Sequence, residues 1–306
     1  LALILLFPIF STIDLTQQTI KRALSAFLIT MAISALLAIF INLNIINPLG
    51  KYISWISASE AVSAFTKYNY HNILLAISFS AVTYILLEKK TNQPALFVLM
   101  IIIYSISIFT EAGRAGQILF NLMAVFYIIY YNSKYLLKLA GWLLLLLSFQ
   151  VIVYNTSTIY KHRLNHLSSV ISNKGFPNQG KEDIRYVFFK ESLKRIVAKP
   201  IFGYGTGSFG TIFCQEVESG HEFTISTTPH NQYLYVWFEL GILGLITLLL
   251  IFYYQIKELL RMHHGIHRII LPLTFMLIML IDSYFFIFVL TTAYIFLYTI
   301  YSKYQS

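Results

Sequence analysis

The side chains best suited to chemistry are an arginine in TEAGRAG, a second opening RYVFFKESLKRIVAKP, and the His-Asn pair opening HNQYLYVWFELG. They are Arg114, Arg185, His230 and Asn231, and His221 stands nearby among Glu216, Glu218 and Glu222. A guanidinium presents a rigid fork of donors that fits a phosphate or diphosphate. A neutral imidazole can take a proton from a hydroxyl. Each residue also has a plainer reading. Arg114 sits in a short turn between apolar runs, where an arginine can simply snorkel towards water. His230 can be an ordinary residue at a helix start, with Asn231 either orienting its ring or capping the helix. Glu239 falls deeper in the same apolar run, where a bare carboxylate is expensive, so it either pairs with another helix or faces a polar cavity. Asp282 reads as a hairpin residue.

Between Arg185 and His230 lies KPIFGYGTGSFG, residues 199–210, with four glycines in eight positions. It lacks the Gly-Lys-Ser/Thr ending of a P-loop and has no strand before it, so neither nucleotide fingerprint applies. What it offers is a chain reversal after Pro200 and close backbone packing. No cofactor or metal is expected. The lone Cys214 rules out an internal disulfide and a cysteine cluster. His263, His264 and His267 have only Glu258 near them and read as a solvated basic loop, and the long loop's glutamates show no metal spacing.

The elements that must position these groups lie in lipid. Of 306 residues, 57% are hydrophobic and 11% charged, against about a quarter charged in soluble domains. Runs such as AFLITMAISALLAIFI carry no charge over nearly the ~20 residues a bilayer requires. Apolar runs at 1–10, 23–41, 73–87, 95–110, 117–131, 137–154, 232–256, 269–281 and 284–301 predict an all-α polytopic membrane protein. It would have about eight spanning helices plus a partial first one. No run shows sustained period-two alternation, so nothing argues for a barrel. The expected division is 1–154, membrane helices with short loops; 155–231, a long loop; and 232–306, three further membrane helices, with a tight turn at Asp282-Ser283. Within the loop, 182–199 reads as an amphipathic helix, with Ile184, Val187, Phe188, Leu193 and Ile196 on one face. A glycine-rich turn over 200–210 follows.

Ten Lys and Arg fall in one set of short connections: Lys21, Arg22, Lys89, Lys90, Lys134, Lys138, Lys257, Arg261, Arg268 and Lys303. Three, Lys51, Lys67 and Arg114, fall in the other. The positive-inside rule places the first set and the C-terminus in the cytoplasm and the long loop on the far side. The net charge of +9 is spread among these connections, which describes topology rather than a nucleic-acid partner. The chain begins in an apolar run without Met or a basic stretch, which reads as a helix whose start is missing.

Arg185 followed by aromatics, then KPIFGYGTGSFG, then PHNQYLYVWFELGILGL resembles the carboxy-terminal signature of the O-antigen ligase and O-antigen polymerase family. The ordered match spans roughly 182–245. Arg114 in TEAGRAG resembles the family's Ser-Arg-Gly turn, with Ala112 and Gly113 where serine is common. Ala198-Lys199-Pro200 stands where the family often has Asp-His or Asn-Pro before the glycines. The resemblance implies a metal-independent, inverting glycan transferase of a bacterial inner membrane, acting at the periplasmic face with neither nucleotide nor cofactor. It implies that Arg114 and Arg185 hold the diphosphate of a polyprenyl-diphosphate-linked glycan. His230 would act on the acceptor hydroxyl, with Asn231 and His221 as further substrate contacts. The acceptor is implied to be lipid A-core, another lipid-linked glycan, or a protein hydroxyl. Twelve helices are usual for the ligases, so further helices would precede residue 1.

Overall fold

The computed structural model describes residues 12–46, 65–88, 90–162, 164–165, 184–217, 228–262 and 265–303, with the backbone alone for 184–187 and 213–217. The apolar run at 1–10, and His221, His263 and His264, lie outside these residues. The chain divides into two compact units, Thr16–Lys174 and Gly175–Ser306 together with Leu1–Leu15.

In the first unit five helices follow one another: α1 (Gln17–Asn42), α2 (Tyr68–Leu87), α3 (Pro94–Thr110), α4 (Arg114–Asn132) and α5 (Leu136–Thr156). Thr16 opens α1 by accepting the Thr19 amide on its hydroxyl at 3.2 Å. Pro94 starts α3 at a position whose amide needs no partner. Helix α2 is the axis of the unit, since every residue from His71 to Val82 is buried. Its serines find partners inside the unit, as apolar surroundings favour. Ser78 Oγ donates to Leu74 O at 2.8 Å, and Ser80 Oγ lies 3.0 Å from Tyr127 Oη of α4. Helix α5 is the opposite case, with Leu137 90% exposed and Leu144, Leu145, Leu147, Val151 and Ile152 all exposed. Such a surface is stable only against lipid or another apolar face.

The second unit holds α6 (Ile184–Ala198), α7 (Ser208–Val217), α8 (Gln232–Leu260), α9 (Gly265–Arg268), α10 (Ile270–Ile278), a 3₁₀ turn at Tyr284–Phe286 and α11 (Phe288–Lys303). The chain reverses between α10 and α11. The rings of Phe275 and Tyr294 lie 4.3 Å apart, and Arg268 donates to Tyr301 O.

Helix α8 is broken at Gly241, where φ is 68° and ψ −169°. In an unbroken helix the Ile242 amide would bond Phe238 O. Here Ile242 N donates to Pro200 O at 2.8 Å, while Phe238 O and Glu239 O accept from the amides of Tyr204 and Gly205, both at 2.9 Å. The glycine-rich segment thus takes over the partners that the break leaves open. A Cβ on Gly241 would lie 1.9 Å from Ile201 O, and one on Gly203 would lie 2.6 Å from Phe238 O, so only glycine permits this approach.

Every regular element among the described residues is helical. Among the described residues five helices are long and apolar enough to cross a membrane: α1, α2, α4, α5 and α8. The chain is therefore an all-α, multi-pass membrane protein. The other three of the eight expected runs hold shorter helices: α3 with 17 residues, α10 with 9 and α11 with 16.

Candidate functional site

His230 stands immediately before α8 with φ 53°, a left-handed conformation that costs a non-glycine residue energy. The chain after it is held firmly. Asn231 caps α8, its Oδ1 accepting from Tyr233 N at 3.0 Å and Leu234 N at 3.1 Å. Its Nδ2 donates to Leu280 O at 3.2 Å, and the Gln232 amide donates to Met279 O at 2.8 Å. The start of α8 is therefore stitched to the segment following α10, which carries Asp282. Asp282 Oδ1 lies 3.0 Å from His230 Nδ1 and also accepts from Ser283 N at 2.8 Å. A carboxylate at Nδ1 fixes the proton there, so the lone pair of a neutral ring is on Nε2. Among the described residues Nε2 has no hydrogen-bond partner. With His230 32% and Asp282 22% exposed, the ring is reachable from outside.

Asp282 is thus more than the hairpin residue expected from sequence. A signal for it existed, because a turn residue two apolar runs after residue 230 must return to the same side of a bilayer. Asn231, whose two sequence readings were orienting the ring or capping, is the cap.

Helix α6 borders the same ring. Phe188, 1% exposed, places its ring centroid 5.8 Å from that of His230. With Ile196, Phe209, Leu234 and Phe238 it forms the core that joins α6 and α7 to α8. Arg185 lies on the backbone of α6 one turn before Phe188, and its side chain is outside the described atoms. Glu239, 6% exposed, accepts from Phe209 N at 3.4 Å at the start of α7, where a carboxylate complements the helix dipole. That gives this intramembrane carboxylate a structural partner.

Arg114 belongs to the first unit, where it is the first residue of α4 and exposed. A cation there opposes the helix dipole, which stabilises negative charge at an N-terminus. Guanidinium and helix start together favour an anion. Between α2, α3, α4 and α5 the same unit has an open cavity of about 780 Å³, lined mostly by apolar side chains such as Phe79, Leu87, Phe120, Trp142 and Phe149.

Residues 95–249, just over half of the chain, match the family described as O-antigen ligase (Wzy_C). The chain belongs to the O-antigen ligase family. Its matched region begins in α3 and ends within α8, so it takes in Arg114, Arg185, His230 and the glycine-rich segment. Among curated proteins, the chain is 26% identical over 185 residues to the O-antigen ligase of Salmonella typhimurium. That similarity covers 59% of this chain and 44% of the Salmonella protein. Asp282 lies beyond the matched region of this O-antigen ligase family member, on the segment that α8 needs for its first hydrogen bonds.

Proposed function

We propose that this protein transfers a glycan from a polyprenyl diphosphate to a hydroxyl of lipid A-core at the periplasmic face of a bacterial inner membrane, as an O-antigen ligase. The observation that carries the reading is the His230–Asp282 pair at the head of α8, inside a family known by ligase chemistry. In the proposed step the acceptor hydroxyl attacks the anomeric carbon with inversion, and its proton passes to His230 Nε2. The bond from that carbon to the diphosphate breaks, and polyprenyl diphosphate leaves. Asp282 stabilises the imidazolium that results. Arg114 and Arg185 are assigned to the diphosphate, whose charge grows as the bond breaks, so they favour the transition state over the ground state. Asn231 and His221 are assigned to substrate binding, Asn231 through its hold on the start of α8. The apolar cavity beside α4 suits a lipid chain, in keeping with a membrane-borne donor. The step needs neither metal nor nucleotide.

Deleting the gene tests the acceptor. Intact lipopolysaccharide core lacking long glycan, with lipid-linked polymer accumulating, is the expected result. Core capped by one repeat unit would instead indicate a polymerase, and normal lipopolysaccharide with an underglycosylated surface protein would indicate protein-directed transfer. The Salmonella relative's name favours the ligase reading. In a transfer assay, Arg114→Ala and Arg185→Ala should each abolish transfer while the protein still inserts. Unchanged transfer by either would remove that arginine from the donor site.

A further inference from the structure

The turn that carries Arg114 is held by a buried polar network, although neighbouring helices are joined mainly by apolar packing. Asn72 Nδ2 donates to Ile108 O and to Gly113 O, both at 3.2 Å, bridging the last turn of α3 and the residue before Arg114. Gln117 Nε2 reaches Ile108 O at 3.3 Å and Glu111 O at 3.1 Å. The Glu111 carboxylate lies 2.8 and 3.0 Å from His71 Nδ1 and accepts from Ser107 Oγ at 2.9 Å. On the far side of the imidazole, Ser34 Oγ of α1 is 2.8 Å from Nε2. Asn72 and Glu111 are 0% exposed and His71 2%. Two glycines let α4 press against this group. A Cβ on Gly113 would lie 2.4 Å from Asn72 Nδ2, and one on Gly116 would lie 2.5 Å from the Asn72 backbone.

Ser34, His71 and Glu111 have the spatial order of a hydrolase triad. Ser34 is 5% exposed in mid-helix with its ring partner fully packed, so no substrate can reach it. A purely adhesive role fits poorly as well. A carboxylate buried among apolar helices is costly, and apolar residues of similar volume often hold helices together equally well. What a buried network with its carboxylate and imidazole both hydrogen-bonded adds is one geometry. The exposed residue directly attached to this one is Arg114.

We propose that Asn72, His71 and Glu111 are positioning residues for Arg114: they lock the turn 111–113 so that the guanidinium meets the donor diphosphate at a fixed angle. The proposal rests on the donor role assigned to Arg114. In that role the clamp acts on donor binding and transfer alone, because an arginine displaced by about 1 Å can cost on the order of a hundredfold.

The test measures donor and acceptor KM for the full chain in proteoliposomes, with a polyprenyl-diphosphate-linked oligosaccharide as donor. Asn72→Ala and Glu111→Ala should raise donor KM by roughly tenfold or more, leaving acceptor KM unchanged. Glu111→Gln keeps an acceptor for His71 and Ser107 and should restore most of the loss. Combining Asn72→Ala with Arg114→Lys, which still transfers, should be no worse than Arg114→Lys alone, since the clamp works through that arginine. Additive losses, or equal rises in both KM values, would overturn the clamp while leaving the donor site standing. An Arg114→Ala protein with unchanged donor KM would overturn the donor site itself, and the clamp with it. If Asn72→Ala does not insert, Gln117→Ala releases Glu111 O and one of the two donors to Ile108 O without emptying the space Asn72 fills, and the same comparisons apply.

Discussion

Asp282 does two jobs with one oxygen: Oδ1 faces His230 Nδ1 and also accepts the Ser283 amide. Asn at 282 would keep the turn's size but could offer its own N–H to Nδ1, moving the ring's proton to Nε2 and removing the base. Asp282→Asn should therefore lower the turnover of glycan transfer by on the order of 10²-fold or more, with acceptor KM little changed. Turnover near wild type would show that the pair is structural. Arg114→Lys separates charge from shape. Lysine keeps the positive charge and loses the two-pronged fork, so donor affinity measured by saturation kinetics should fall well below wild type. His230, Asn231 and the arginines could be picked out from sequence because their neighbours form an ordered signature. The partner of Asp282 is not legible locally, because its contact with His230 joins residues 52 positions apart that no local pattern links.

At the level of elements, the junction of the glycine-rich segment with α8 depends on two glycines in different segments. Gly241→Ala places a side chain at φ 68° and against Ile201 O. The backbone strain alone costs about 1–3 kcal/mol, and the overlap adds to it. Thermal unfolding in detergent should show a clear loss of stability, and Gly203→Ala should behave alike. Gly205→Ala, with φ 99° but open space around its Cβ position, should cost less. Phe188→Ala empties a fully buried site between α6 and α8, a change worth about 3–5 kcal/mol. It should lower both stability and transfer, since the same ring packs on His230. The glycines of 199–210 were readable as a packing device because P-loop chemistry lacked its residues. Their partner was not readable, since Gly241 sits within an apolar pattern that continues on both sides as if the helix were whole.

On the scale of the whole molecule, what faces outward is hydrocarbon. Trp142 on α5 is 50% exposed among bare leucines. A variant with Trp142 as its sole tryptophan, reconstituted with brominated lipids, should lose most of its fluorescence. Emission unaffected by bromine would mean that α5 is covered by protein. The membrane class and helical fold were plain from composition and run length. The ends of the helices were less so, because hydropathy marks where a chain is apolar and not where its hydrogen-bond ladder ends. Glu111 ends α3 through its carboxylate's pairing with His71, and the unwinding after Ile278 serves the start of α8.

The exchange of backbone partners at Gly241 also has a bearing on biosynthesis. Residues 200–205 leave the ribosome before α8, and they carry the groups that Phe238, Glu239 and Ile242 require. A helix delivered to lipid with those groups open would meet no water to satisfy them. The earlier segment has to be waiting when the later one inserts, so the order of synthesis supplies what α8 cannot complete by itself.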